Sequence, residues 1–234
     1  MKKALALFTI AGCLLVVFTR CNKTNTVASA ELRVFNVDPT LPAQDMYLDG
    51  QLQLTALPYG NDTAHVSIQP GTYNIKFANT GAGAGDAVSN IDFTTGKNYM
   101  MFLLNNNGTT QFEAFDESLL RLGQDTSEIR FFTFSPNAPL MDIGIKNTDT
   151  SKLDTTYTFY RKRYPNDVYA NRVYNNFTRL PSGTYYLKLR YADSLLAFDS
   201  VLFTFSSRKS YTILARGNYN STGSTPFVVE SLQH

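Results

Sequence analysis

The stretch Glu31 to Asp49, E-L-R-V-F-N-V-D-P-T-L-P-A-Q-D-M-Y-L-D, reads as a strand, a proline-punctuated turn and a second strand. Leu32, Val34 and Asn36 alternate with Arg33, Phe35 and Val37, the two-residue period of a β-strand. Asp38-Pro39 ends that run, because proline has no amide donor for a ladder and aspartate favours a turn. Met46-Tyr47-Leu48 resumes as a strand, and Asp49-Gly50 closes it as a hairpin-type turn. The pattern returns 97 residues later in Glu128 to Ile145, E-I-R-F-F-T-F-S-P-N-A-P-L-M-D-I-G-I, with Glu, Arg, Phe, both Pro and Asp45/Asp142 in register. The chain therefore reads as two copies of one domain.

Past the opening motif the offset widens from 97 to 112: Gly71-Thr72-Tyr73 matches Gly183-Thr184-Tyr185, Lys97 matches Lys209, and Tyr99 matches Tyr211. An insertion of 15 residues is thereby located between Asn147 and Phe177. Tyr99 to Leu104, Y-M-M-F-L-L, is a continuous apolar run of strand length, expected to be buried on both faces. Short strands, frequent turn signals and the lack of a capped helical period predict an all-β chain. The expected architecture is two tandem immunoglobulin-like or transthyretin-like antiparallel β-sandwiches. They are placed at 30–115 and 127–234, with a linker at 116–126 in which Phe115 to Leu122 reads as a short helix.

Met1 to Phe18 sets Lys2 and Lys3 before an apolar run, the layout of an export signal, and a polar tether at 21–29 follows. Both cysteines fall in this region, so neither a disulfide within the mature chain nor a cysteine-based metal site or thiol catalyst is expected. The segment resembles a bacterial lipoprotein signal. Cys21 is the favoured lipid acceptor, giving a 1–20 signal with an apolar region of full length; Cys13, in Ile10-Ala11-Gly12-Cys13, is the alternative. Removal of Lys2, Lys3 and Arg20 turns the net charge of +2 to about −1, which argues against a nucleic-acid partner. The halves differ: 30–120 holds three Lys/Arg and ten Asp/Glu, while 121–234 holds fourteen and nine.

The insertion is the most distinctive composition in the chain. Tyr157, Phe159, Tyr160, Tyr164 and Tyr169 are interleaved with Arg161, Arg163 and Arg172. One reading is a contact surface, with aromatic faces for sugar rings or a protein partner and guanidinium groups for carboxylate or phosphate. The other is an elongated hairpin whose aromatics pack onto the sandwich.

Asn36 to Gly50, N-V-D-P-T-L-P-A-Q-D-M-Y-L-D-G, resembles the signature of the DUF4397 domain, a family of unknown function found in envelope proteins and commonly in Bacteroidota lipoproteins. In the second copy Phe134 to Ile143 keeps the pattern, while Gly144 and Lys146 depart from it. The resemblance implies an envelope β-sandwich domain with no catalytic residues to carry over. With the export signal and the insertion, the expectation is an outer-membrane lipoprotein held to the membrane by its lipid, without a cofactor, that binds a glycan or an envelope protein; a purely structural envelope component is the alternative. The resemblance also implies sequons for O-glycosylation at Thr63, Thr155, Ser194 and Ser200.

Catalysis finds little support. His65 and His234 are the two histidines, and neither adjoins a nucleophile motif. A hydrolase built on two carboxylates from Asp45, Asp49 and Asp142 is the remaining enzymatic alternative, against a turn-holding role repeated with the domain. No metal site is expected.

Overall fold

The computed structural model describes residues 28–83, 87–117, 122–149 and 157–234. The alternating run opens the fold as β1 (Ala30–Asn36), and Met46-Tyr47-Leu48 lies in β2 (Gln44–Leu48). The prolines between them do not make a hairpin. They carry the chain from one sheet to another, so that β1 and β2 face each other across a core. The arch is pinned by side chains: Asn36 Nδ2 donates to Pro42 O at 3.3 Å and Leu57 O at 3.2 Å. Asp38 accepts from the Thr40 amide at 2.9 Å and from the Asn105 amide at 2.9 Å.

The first unit continues with β3 (Gln51–Leu57), β4 (Val66–Ile68), β5 (Gly71–Asn79), β6 (Ala87–Phe93), β7 (Asn98–Asn106) and β8 (Thr109–Asp116). Its sheets have the orders β4-β1-β7-β8 and β3-β2-β5-β6. Asp49 at φ 47° and Gly50 at φ 79° form the tight β2–β3 turn, where glycine accepts the left-handed backbone without a Cβ clash. Phe115 and Asp116 belong to β8, correcting the expected helix. Residues 118–121 of that linker lie outside the described residues.

The second unit comprises β9 (Thr126–Thr133), β10 (Met141–Asn147), β11 (Tyr157–Arg163), α1 (Asp167–Ala170), a 3-10 turn (Arg172–Asn175), β12 (Thr178–Pro181), β13 (Gly183–Tyr191), β14 (Ala197–Phe205), β15 (Ser210–Arg216) and β16 (Val228–Gln233). Its sheets, β12-β9-β15-β16 and β11-β10-β13-β14, reproduce the orders of the first unit strand for strand. Register agrees residue by residue. The parallel pair Glu31↔Asn98 becomes Glu128↔Ser210, and Asp45↔Ala78 becomes Asp142↔Arg190. The fold is all-β, with two sandwich-like units.

Each unit has its own apolar core, one around Leu32, Val34, Met46, Phe77 and Met101, the other around Phe131, Ile143, Leu189 and Ile213. A third cluster joins them, formed by Phe35, Met100, Phe102, Leu104, Phe115, Phe132, Phe134, Val168 and Leu214. The sheets containing β1 and β9 therefore meet face to face, and the molecule is a stack of outer, inner, inner and outer sheets. This explains the unbroken run in β7: Tyr99, Met101 and Leu103 fill the unit's own core, while Met100, Phe102 and Leu104 fill the junction. Phe102 lies 5.6 Å from Phe132 and 4.9 Å from Phe134, centroid to centroid. The units run side by side with like ends together. Glu117 approaches its equivalent His234 at 3.6 Å at one end, and Arg216 donates to the Tyr59 hydroxyl at 3.2 Å at the other.

Candidate functional site

From Tyr160 onward the insertion is largely built into the protein. From β11 the chain turns through α1 and the 3-10 turn, bringing Val168, Tyr169 and Tyr174 to the junction cluster. Arg163 is fully buried, pairs with the equally buried Asp167 and donates to Phe131 O at 2.9 Å. The Tyr174 ring lies 4.0 Å from its guanidinium, which leaves the cation covered on that side. The Tyr169 hydroxyl reaches across to the first unit and donates to Phe102 O at 2.9 Å. Burial pushes its pKa, and that of Tyr160, upward, so both phenols stay neutral.

Arg163 and Tyr169 are thus withdrawn from the expected contact surface, because both are engaged inside the fold. Arg172 reaches the first unit, pairing with Glu113. Tyr160 is half-buried, with its hydroxyl 3.4 Å from that of Thr178. Arg161 and Tyr164 stay exposed. The strand β11 includes Tyr157 and Phe159, whose side chains lie outside the described residues.

The repeated aspartates hold backbone. Asp45 Oδ1 accepts from the Ala56 amide at 2.8 Å, and its other oxygen accepts from the Gly81 amide at 3.3 Å. Asp142 does the same for Lys162 at 2.9 Å and Asp193 at 3.2 Å. Ala56 and Lys162 have φ of 54° and 52°, matching left-handed kinks in β3 and β11 at which the ladder shifts register. The Ala56 amide, with smaller help from Gly81, Thr80 and Thr55, outweighs burial and holds the Asp45 carboxyl below its usual range. These carboxylates do not converge: Asp45 and Asp142 sit on the two outer sheets, separated by both inner ones. Stacked sheets lie about 10 Å apart, so the gap is roughly 30 Å, against about 5–9.5 Å for a glycosidase pair.

A buried polar cluster that sequence reasoning missed lies at one end of the junction. Arg130, fully buried, donates through Nε to Thr212 Oγ1 at 2.8 Å and through Nη1 to Asn175 Oδ1 at 2.7 Å and Asp116 O at 3.3 Å. Its guanidinium lies 4.4 Å from the Phe177 ring. Burial lowers its pKa to about 10, with Glu117 and Asp116 opposing the fall, so it remains a cation at neutral pH. Burial pushes Glu117 up, but His234, His65 and Arg130 together hold it below its ordinary value. The signal was present in the repeat: Arg33 and Arg130 are equivalent, yet Arg33 stays at the surface with Asp62. Asn175 and Phe177 of the second unit and Asp116 and Met100 of the first cover Arg130 and separate their fates.

The outward face of the second unit's outer sheet is open. Cross-strand rows place Lys146 beside Tyr186 and Tyr186 beside Leu202, then Gly144 beside Lys188 and Ser200, then Asp142 beside Arg190 and Ala197. Tyr186 and Leu202 are 43% and 53% exposed. The equivalent rows of the first unit are Asp49, Asn74 and Asn90, then Tyr47, Lys76 and Val88, then Asp45 and Ala78. The charge asymmetry of the two halves is thereby displayed on opposite outer faces of the stack. A shallow hollow between Tyr47, Gly50, Lys76 and Gly83 marks the first.

Of the sequons, Thr63 Oγ1 accepts the Val34 amide at 3.0 Å and Ser194 Oγ accepts the Leu196 amide at 3.0 Å. Ser200 is exposed on β14, an edge strand. Thr155 lies outside the described residues, as do Cys13 and Cys21. Among the described residues no cluster of three or more His, Cys, Asp or Glu is placed to hold a metal ion.

Residues 30–144 match a domain of unknown function, DUF4397. The chain carries a DUF4397 domain. The DUF4397 match takes in β1 to β8 and runs through β9 into β10. No curated protein matches the chain. Among solved structures it is similar to the Bacillus anthracis TIE protein, at 13% identity and a TM-score of 0.26, over 82% of this chain and 34% of that one. It is similar also to a leucine-rich repeat protein from Bacteroides thetaiotaomicron, at 12% identity and a TM-score of 0.22, over 82% of this chain and 26% of that one. The chain thus spans about a third and about a quarter of those proteins. Likeness at this level assigns neither fold nor function.

Proposed function

We propose that the protein is a non-catalytic, lipid-anchored envelope protein of the Bacteroidota type, working at the outer membrane as an interaction module for a glycan or another envelope protein. Its second unit is a diverged second copy of the DUF4397 domain. Cys21 carries the lipid, with Cys13 as the alternative, and the membrane is engaged through that anchor. Ser200 is the most accessible of the described O-glycosylation acceptors.

One observation supports the binding role above the others. The outer face of the second unit presents Lys146, Lys188 and Arg190 around exposed Tyr186 and Leu202, where the first unit has Asp49, Lys76 and Ala78 around Asn74 and Asn90. An aromatic ring flanked by cations suits a ligand with a sugar face and anionic groups. Of the insertion's described aromatic and basic residues, Arg161 and Tyr164 stand exposed beside those engaged at the junction.

Screening the full chain against anionic and neutral glycans and against envelope proteins tests this reading. Binding lost in Lys188→Glu and kept in Tyr164→Ala is expected; binding unaffected by Lys188→Glu, or no ligand at all, overturns it. Lipid labelling of wild type, Cys13→Ser and Cys21→Ser tests the anchor. Loss of label in Cys21→Ser is expected, and retention in both variants contradicts any anchor on a cysteine.

A further inference from the structure

At the end of the stack opposite Ser29, the turn joining β13 to β14 exposes consecutive leucines. Leu195 is 90% exposed and Leu196 65%, with Leu140 of the neighbouring arch 45% exposed beside them. The turn is firmly built. The Ala192 amide donates to Leu140 O at 3.0 Å, Ser194 to Tyr191 O at 3.0 Å, and Tyr191 to Leu196 O at 3.2 Å. Asp142 accepts the Asp193 amide and Ser194 Oγ accepts the Leu196 amide. Behind it, Tyr191, Phe198, Tyr219 and Phe227 pack ring against ring. Leucines on a loose loop could fold back; these are held outward.

We propose that this turn inserts its leucines into a lipid bilayer bearing anionic headgroups. Leu195 and Leu196 stand on a projecting bend between the strands, with Leu140 beside them, and acyl chains can surround such a projection from every side. Charge agrees with that occupant. Asp193, the acidic group in the turn, is paired with Lys162 at 3.0 Å. Arg190 and Lys188 stand in the next rows of the same sheet, where headgroup phosphates would lie. The first unit's counterpart, N-T-G-A-G-A-G-D from Asn79 to Asp86, has no large apolar residue.

The inference goes beyond the binding role of the sheet face and is compatible with the proposed anchor. Eight tether residues from Cys21 reach about 27 Å when extended, close to the roughly 30 Å length of a nine-residue strand, so an anchored molecule can lie along its own membrane.

The chain has no tryptophan, so Leu195→Trp places a single fluorophore in the turn. The full chain carrying it is mixed with vesicles of phosphatidylcholine and phosphatidylglycerol, or of phosphatidylcholine alone. Expected are a blue shift and quenching by brominated lipid with the anionic vesicles, weaker effects with the neutral ones, and loss of both when Leu196→Asp is added. Leu52→Trp, on the other outer sheet, keeps a solvent-like spectrum throughout, and circular dichroism confirms that each variant is folded. An emission spectrum of the Leu195→Trp protein unchanged by anionic vesicles overturns the proposal, as does an equal shift in the Leu52→Trp protein. Glycan or protein binding by the sheet face is read separately in Leu196→Asp, which leaves Tyr186, Lys188 and Arg190 in place and is expected to keep it, so the two failures are distinguishable.

Discussion

Arg163 and Asp167 show how a residue chosen for its exposed chemistry can be structural. Neither side chain touches solvent, and each removes the other's charge from an otherwise apolar setting. Removing one partner leaves an uncompensated buried charge, so Arg163→Ala is expected to lose about 3–5 kcal/mol in denaturant unfolding, while Arg163→Met with Asp167→Leu recovers most of that loss. An Arg163→Ala protein as stable as wild type would place the arginine outside the fold. A second prediction concerns pH. Asp45 and Glu117 are held below their ordinary values, so both take up protons more readily in the unfolded chain. Their stabilisation is therefore full above the unfolded carboxyl range of about pH 4 and is lost as pH falls through their lower folded values. Unfolding midpoints measured from about pH 6 down to about pH 3 should fall with acid, and Asp45→Asn should flatten that slope.

At the scale of the element, the repeated aspartate and the kink it holds form one device used twice. Ala56 and Lys162 adopt left-handed backbone that a Cβ disfavours by about 1–2 kcal/mol. Ala56→Gly is expected to raise stability by about 1 kcal/mol, since Ala56 is exposed and loses no packing. A decrease would mean that the flexibility glycine adds to the unfolded chain outweighs the strain it removes. The strands themselves were legible where the period was clear: β1, β5, β13 and β14 alternate, and Asp49-Gly50 makes the turn its residues favour. The strands β3 and β8 were not. Q-L-Q-L-T-A-L in β3 is an edge strand, exposed for most of its length, and Phe115-Asp116 at the end of β8 opens the helix-like stretch Phe115 to Leu122, a local preference that sheet pairing overrides at those two residues.

The whole molecule depends on a contact that periodicity could only hint at. The Y-M-M-F-L-L run announces burial on both faces, but nothing local says that the second cover is the other unit. Nor does composition distinguish an aromatic-basic insertion that binds a partner from one that wedges two sandwiches together; that depends on where Tyr169 and Arg163 end up in space. The candidate surface was hidden for the same reason: Lys146, Lys188 and Arg190 are ordinary strand residues until the register sets them in adjacent rows on an outward face. With the inner sheets facing each other across Phe102, Phe115, Phe132 and Phe134, the two units should unfold together. Differential scanning calorimetry of the protein and of Phe102→Asp tests this most directly. The stack predicts one cooperative transition in the wild type, with calorimetric and van't Hoff enthalpies in agreement, and separation into two transitions in Phe102→Asp. Two independent transitions in the wild type, unmoved by the substitution, would contradict the account.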